Sequence, residues 1–408
     1  MSAPLSILMV IPSLAVGGAE WAFVRLANAL GEKHNVTAYV PYRCNSAPAL
    51  IGALKGVKLR SLPLPHPFFH KAFYKLSLTL QKALPAFDLE QSLHSLVLRL
   101  LHHAARFDVV NPHLRSGTLM ACRAFRNTAL PIVENDHGDY ALLTKEDPGL
   151  QRHQWLMERV NAVICPSQYN AALIARFPWH PGFQQTVIPY PMPAPEPVTP
   201  RLDPTFTFGM VARGIVEKGW AEAIAAFRLV RQRTTLPLRL VLVGGSPYLD
   251  TLKQTVAQDE PIVFTGYQEH PADCISAFDV GLLPSYFTGE SLPWSVIECL
   301  IHGKPVSATD VGGIPEMLEG PNGPCGILVP LAPETGRASI EVLAAAMQNL
   351  AEDEGLRNAL AARALLSARR YHAGTCASAC AQFFSRVQAS LLSVAKPLSS
   401  PPAVCNVI

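Results

Sequence analysis

The chain lacks most features that mark membrane-spanning or disulfide-stabilised proteins. None of its apolar runs reaches the ~18 residues that a helix needs to cross a bilayer. Its nine cysteines follow no framework spacing and are odd in number, so we expect a reduced, cytoplasmic protein. The first apolar run, Ile7–Ile11, has no basic residue before it and no cleavage-type segment after it. It therefore indicates a buried strand and no signal peptide.

Charge is also scarce. Charged residues make up 16% of the 408 residues and hydrophobic residues 49%, a balance that favours large cores and excludes disorder. At ~100–200 residues per domain, this length predicts two domains. Acidic residues are absent between Glu32 and Asp88, where eight basic residues occur. That stretch is either a solvated face or a surface that attracts an acidic partner or a membrane.

Short β-branched runs alternate with helical segments along most of the chain. This alternation predicts parallel sheets covered by helices on both faces, and its two series predict an α/β protein of two doubly wound, Rossmann-like domains facing a cleft. The predicted strands are Ser6–Ile11, Val36–Val40, Asp108–Asn111, Pro131–Glu134, Ala162–Cys165, Thr186–Ile188, Phe206–Val211, Arg239–Val243, Ile262–Phe264, Val280–Leu283, Pro305–Ala308 and Gly326–Val329.

A proline-rich segment marks the boundary between the two series. We predict a first domain over residues 1–188, a stiff linker over 189–204 and a second domain over 205–370. A C-terminal helix over 371–395 and a flexible tail over 396–408 complete the prediction. The last helical segments, Val342–Leu366 and Thr375–Val394, include no strand, and we expect C-terminal helices to pack back on the first domain.

The most informative segment for chemistry runs from Leu282 to Glu316. Pro293 suits the first turn of a helix, so Glu290 lies in a loop and Glu298 lies on the helix that follows it. Free backbone N–H groups at the start of a helix can bind a diphosphate. The loop carboxylate could accept hydrogen bonds from sugar hydroxyls, and the helix carboxylate could bind the two ribose hydroxyls. Taken alone, Glu298 could instead be a solvated helix residue.

These glutamates belong to a longer pattern. Together with Gly303-Lys304-Pro305-Val306 and Asp310-Val311-Gly312-Gly313, they resemble the large family of retaining glycosyltransferases with the two-Rossmann GT-B fold, which includes sucrose synthases, mannosyltransferases and bacterial polysaccharide enzymes. The resemblance covers residues 5–390. Further matching motifs are Gly17-Gly18-Ala19-Glu20, Asp136-His137-Gly138, Arg213, Lys218-Gly219, Val243-Gly244-Gly245 and Phe264-Thr265-Gly266-Tyr267.

The resemblance implies a retaining enzyme that moves a hexose-type sugar from a nucleotide-sugar to a glycan or lipid-linked acceptor. It implies that Arg213 and Lys218 neutralise the donor diphosphate, so that neither a metal nor a cofactor is needed. Alternatively, these two side chains are ordinary surface charges without a role in the site. The remaining site residues that it implies are Glu290 and His137 for the transferred sugar, Glu298 for the ribose, and Gly17, Gly18, Gly244, Gly266, Tyr267, Ser291 and Leu292 for donor binding.

The chain also departs from the family pattern. Ser291-Leu292-Pro293-Trp294 stands where the family often has glycines, which predicts a bulkier phosphate loop and a narrower sugar pocket. Tyr190-Pro191 replaces a frequent Asn-Gly pair, which argues against a donor contact from that turn. A catalytically inactive nucleotide-sugar-binding or scaffold relative is the alternative function. A dehydrogenase is disfavoured because no Gly-x-Gly-x-x-Gly loop follows the first strand.

The expected partners are the nucleotide-sugar, the acceptor and a membrane surface, with no nucleic acid. A run from Phe68 to Leu80 mixes aromatic, apolar and basic residues, as helices at a membrane interface do. An ordinary helical insertion whose leucines fill the first domain's core has the same composition. We expect a cytoplasmic protein that binds peripherally at the inner face of the membrane.

Overall fold

A computed structural model describes most of the chain, in ranges separated by gaps. These ranges are residues 3–15, 17–42, 46–62, 75–77, 79, 82, 89–138, 140, 155–193 and 203–394. Most of the run from Phe68 to Leu80, the middle of the proline-rich segment and the predicted tail lie outside the described residues.

The N-terminal half builds a parallel sheet system. Its strands are β1 (Ser6–Val10), β2 (Asn35–Tyr39), β3 (Lys58–Arg60), β4 (Val109–Pro112), β5 (Val133–Asn135), β6 (Ala162–Cys165) and β7 (Gln184–Val187). Four strands pair in the order β3-β2-β1-β4 and three in the order β5-β6-β7. Bridges from Val110 to Ile132 and from His113 to Asn135 join β4 to β5. Most of these strands are almost fully buried, as strands covered on both faces are.

The C-terminal half builds a six-stranded sheet. Its strands are β8 (Phe206–Val211), β9 (Leu238–Val243), β10 (Ile262–Gly266), β11 (Val280–Leu283), β12 (Val306–Thr309) and β15 (Gly326–Val329). They pair in the order β10-β9-β8-β11-β12-β15, and every pairing is parallel. A short hairpin of β13 (Glu319–Gly320) and β14 (Gly323–Pro324) precedes the last strand.

Helices cover both sheets. They are α1 (Gly18–Gly31), α2 (Pro48–Gly52), α3 (Leu89–Ala105), α4 (Leu114–Ala124), α5 (Gln168–Ile174), α6 (Trp220–Arg233), α7 (Pro247–Lys253), α8 (Ala272–Ser276), α9 (Trp294–Ile301), α10 (Ile314–Leu318), α11 (Ile340–Glu352), α12 (Glu354–Ala368) and α13 (Ala373–Val394). In the part of the chain that is described, no helix combines the length and apolar character that a membrane span requires.

The last helix returns to the first half of the chain, as predicted. Phe383 and Phe384 of α13 lie in the same buried core as Ile7 of β1 and Phe23 of α1. Burying each of these side chains contributes about 1.5–3 kcal/mol. The chain therefore crosses between its two halves twice.

Two local predictions were wrong. The segment predicted as one helix, Val342–Leu366, forms two, because Asp353 leaves the helical conformation and its carboxylate accepts a hydrogen bond from the Leu356 backbone N–H at 2.8 Å. The edge strand β3 was missed, because charged side chains flank its one apolar residue, Leu59.

Candidate active site

A cavity of about 610 Å³ lies between the two sheets. Val211 and Leu283, the last residues of β8 and β11, line it, so it sits at the carboxyl ends of the strands, where α/β sheets bind ligands. The predicted site residues that line it are Gly17, Gly18, His137, Arg213, Lys218, Glu290, Ser291, Leu292 and Glu298. The structure therefore brings most of the predicted site together from distant parts of the chain.

The other predicted donor residues lie together but do not line this cavity. Gly244 donates its N–H to the carbonyl of Gly266 at 3.1 Å, and Gly245 faces the backbone of Tyr267. Tyr267 is 64% exposed. These residues form an open surface after β9 and β10.

The centre of the site is a buried ion pair between Lys218 and Glu290, which are 6% and 4% exposed. The Ser285 hydroxyl lies 2.6 Å from the same Glu290 carboxylate oxygen. Burial lowers the pKa of Lys218, and the Glu290 carboxylate opposes that shift. The buried Lys218 and the exposed Arg213 both lie over the Phe287 ring, at 5.2 and 5.5 Å from its centroid. Two cations and the Glu290 carboxylate thus lie close together in one part of the cavity wall.

A pair of glycines holds the loop that carries Glu290. Gly313 donates its N–H to the Glu290 carbonyl at 2.9 Å. A Cβ at Gly312 would overlap the Glu290 carbonyl, and one at Gly313 would overlap the Ser291 carbonyl. Gly312 also has φ +60°, which favours glycine. The Gly312-Gly313 motif is therefore needed for this close backbone contact.

A chain of hydrogen bonds fixes the protonation of His137. The Asn111 amide donates to the carbonyl of Val133 and to Asn135, so its own oxygen accepts from His113 Nε2 at 3.0 Å. His113 Nδ1 must then accept from His137 Nε2, which is 2.9 Å away. Burial lowers the pKa of His137 to about 3, so the ring is neutral.

This arrangement leaves His137 Nδ1 as an acceptor. The atom is buried and has no hydrogen-bond partner among the described residues. Because a buried acceptor without a partner costs about 1–3 kcal/mol, a ligand hydroxyl that donates to it would be favoured.

Aromatic rings form a column along the cavity. His137 stacks on Tyr190 at 5.5 Å between centroids, and Tyr190 stacks on Trp294 at 5.6 Å. The Trp294 indole also lies against Gly18, where an added Cβ would come within 2.8 Å of the indole nitrogen. The bulky residues that depart from the family pattern therefore pack across the cleft and form part of its wall.

Glu298 lies half-buried one turn after Trp294 on α9. Burial raises its pKa to about 7, and the positive charge of Arg25 on α1 opposes that shift. At neutral pH, Glu298 is therefore divided between its ionised and protonated forms.

Polar contacts hold the two halves together beside the cavity. The buried Asn170 amide donates to Asp136 at 2.7 Å, and its oxygen accepts from the Ser291 hydroxyl at 2.6 Å. The Glu316 carboxylate accepts from the backbone N–H groups of Gln168 and Tyr169 at 2.9 and 3.1 Å. The neighbours of His137 and of Glu290 are thus joined through Asn170.

Several residues of this site were not predicted from the sequence, including Arg25, Asn170, Ser285 and Phe287. Arg25 stands in the middle of a helix pattern, and Asn170 follows the helix-capping residue Ser167, so neither shows a motif. Ser285 and Phe287 precede Glu290 in the loop that was singled out. Their nearness to a predicted carboxylate was the one available signal.

Two family models match the chain. The model described as Glycosyl transferases group 1 matches residues 205–353, and the model described as Glycosyltransferase Family 4 matches residues 16–191. Together they include every strand given above except β1, and all of the residues that line the cavity.

Two curated proteins are similar over part of the chain. N-acetyl-alpha-D-glucosaminyl L-malate synthase of Bacillus anthracis is 32% identical over 128 residues, which are 31% of this chain and 31% of that relative. The 2-deoxystreptamine glucosyltransferase of Streptomyces kanamyceticus is 34% identical over 112 residues, 26% of this chain and 28% of that relative. The matched segments span less than a third of either relative.

A solved structure is similar over nearly the whole chain. HepE of Anabaena, in complex with UDP and glucose, has a TM-score of 0.70 and 17% identity, and the match covers 94% of this chain and 100% of HepE. At this identity the likeness shows the fold. The predicted GT-B architecture of two Rossmann-like domains is confirmed.

Proposed function

We propose that this chain, which belongs to the group 1 glycosyltransferases, transfers a hexose-type sugar from a nucleotide-sugar to a glycan or lipid-linked acceptor with retention of anomeric configuration. The observation that carries the proposal is the cleft, where Gly17, Gly18 and His137 face Lys218 and Glu290. HepE binds UDP and glucose, which makes UDP-hexoses the first donors to test.

In this proposal the second sheet binds the donor diphosphate and ribose. Arg213 and Lys218 neutralise the charge that grows on the diphosphate as the sugar–phosphate bond breaks. Because these side chains supply the positive charge, the reaction needs neither a metal ion nor a cofactor. Glu298 accepts hydrogen bonds from the ribose, and Gly244, Gly266 and Tyr267 offer an open surface for the base.

The transferred sugar lies between His137 and Glu290. A sugar hydroxyl donates to His137 Nδ1, which the hydrogen-bond chain has left as an acceptor. Glu290 accepts from another hydroxyl while Lys218 and Ser285 hold its carboxylate in place. Both contacts orient the anomeric carbon toward the acceptor side of the cleft.

Donor binding and turnover test this assignment. Thermal shift with UDP-, GDP- and ADP-hexoses should single out one nucleotide, since a ligand that binds the folded state raises apparent stability. The selected donor should then be hydrolysed or transferred by the wild type and far less by Glu290→Gln. Binding without turnover would instead support the inactive scaffold relative. No binding to any nucleotide-sugar would contradict both.

We further propose that the protein is cytoplasmic and binds the inner membrane surface, where a lipid-linked acceptor lies. The support is the basic, acid-free stretch from Lys33 to Lys82 and its apolar run, in which Lys71 and Lys75 stand. Each basic residue near an anionic leaflet adds about 1 kcal/mol, and salt screens it. Co-sedimentation with anionic liposomes should occur at low salt and fail at high salt. Equal pelleting of Lys71→Glu/Lys75→Glu would contradict the proposal.

A further inference from the structure

Arg25 reaches from the first half of the protein to the donor side of the cleft. It stands on α1, and its guanidinium lies over the Trp294 ring of α9, 4.7 Å from the ring centroid. The same guanidinium lies 5.6 Å from the Trp21 ring and donates to the Met192 sulfur at 2.7 Å. Contacts with two aromatic rings and with Met192 of the predicted linker leave the Arg25 side chain little conformational freedom, so its charge has a fixed position.

The geometry of α9 places this charge beside Glu298. Trp294 and Glu298 are four residues apart on one helix and therefore lie on the same face, one turn from each other. A guanidinium stacked on the first side chain is thus a neighbour of the second. Glu298 is half-buried and lines the cavity, where few water molecules can stabilise a negative charge.

We propose that Arg25 is a positioning residue for the donor: across the cleft, it supplies a charge that favours the ionised form of Glu298, the form able to accept hydrogen bonds from both ribose hydroxyls. This inference rests on the proposed role of Glu298. A protonated carboxyl would itself donate one hydrogen bond and could not accept hydrogen bonds from both ribose hydroxyls with the same geometry. Because Arg25 and Glu298 stand on helices of different halves of the chain, the donor site is complete only when the two halves are close together.

The electrostatics of the cavity agree with this inference. Burial raises the pKa of Glu298 to about 7, and Arg25 is the charge that opposes the shift. Of the other charged groups that line the cavity, Lys218 is already paired with Glu290. Glu20 folds back against Gly17, and burial raises its own pKa. The remaining groups are the exposed Arg213 and the neutral His137.

The first test measures nucleotide affinity against pH for the wild type, Arg25→Met and the charge-conserving control Arg25→Lys. We expect wild-type affinity for UDP, or for whichever nucleotide the screen selects, to rise with pH through about 7. Loss of the cation should move this midpoint upward in Arg25→Met. A shift of one unit would lower the ionised fraction at pH 7 about fivefold, and affinity should recover at pH 9.

The control should keep the wild-type midpoint. An equal loss of affinity at every pH in Arg25→Met, with the midpoint unchanged, would mean that Arg25 acts through packing alone. That result would overturn the proposal.

A second test needs no nucleotide, so it separates failure of this inference from failure of the proposed function. An acid whose folded pKa is raised stabilises the fold below its unfolded pKa, here 4.5, and loses that contribution as pH rises through the folded value of about 7. The melting temperature of the wild type relative to Glu298→Gln should therefore fall over this window.

In the Arg25→Met background, the fall in melting temperature relative to the matching Glu298→Gln variant should continue to higher pH. If the melting temperature falls over the same pH range with and without Arg25, then Arg25 does not act on Glu298. The proposal is then wrong, whether or not a nucleotide binds.

Discussion

Replacing Lys218 with methionine removes the cation from the centre of the site and leaves the Glu290 carboxylate buried. Removing one partner of a buried pair costs about 3–5 kcal/mol, because the remaining charge stays desolvated. Glu290 keeps the Ser285 hydroxyl at 2.6 Å, which compensates in part, so we expect the lower end of that range. A loss of about 3 kcal/mol lowers the folded-to-unfolded ratio roughly a hundredfold.

Urea denaturation of four proteins measures this effect. Lys218→Met should unfold at a clearly lower urea concentration than the wild type, and Lys218→Met/Glu290→Gln should recover most of the loss because no buried charge remains. Lys253→Met, which removes an exposed lysine from the same half of the chain, should change stability by about 0.5 kcal/mol or less. If Lys218→Met is as stable as the Lys253 control, or if the double variant recovers nothing, the ion-pair reasoning is wrong.

The same variant tests the proposed role of Lys218 in turnover. Its charge matters most when the diphosphate departs, so turnover should fall more than donor affinity does. Measurements at a temperature where all variants remain folded separate this effect from the loss of stability. Equal losses of affinity and turnover would assign Lys218 to ground-state binding.

Three further changes test other parts of the site. His137→Ala should abolish transfer yet leave nucleotide affinity nearly unchanged in calorimetry; a comparable loss of nucleotide affinity would place the histidine at the nucleotide instead. Gly313→Ala should cost about 1–3 kcal/mol, because its Cβ would overlap the Ser291 carbonyl, whereas Gly374→Ala has open space around it and should cost nothing. Glu316→Ala should weaken contact between the halves and increase the radius of gyration in X-ray scattering, and an unchanged scattering curve would contradict the interdomain role of this carboxylate.

Much of the fold was predictable because its signals are local. Strands such as Phe206–Val211 and Val280–Leu283 read as short buried runs bounded by polar turns, and both were predicted with the observed bounds. Glu290 and Glu298 could be singled out since a loop carboxylate and a helix carboxylate flank a helix start. The Gly312-Gly313 motif could be recognised in the sequence. The need for glycine there, which comes from the close contact with the loop that carries Glu290, could not be predicted.

The sequence alone predicts most of the strands and helices, because hydrophobic periodicity and turn residues act over a few positions. It also determined which charged side chains accompany the helix starts where a donor could bind. The nearness of Arg25 to Glu298 and the hydrogen bond from Ser291 to Asn170 could be seen only in the folded protein, since the partners of each pair are more than a hundred residues apart. Such pairs depend on how the two sheets face each other, and that orientation is set by packing across the cleft and by the returning C-terminal helix, which leave no periodic trace in the chain.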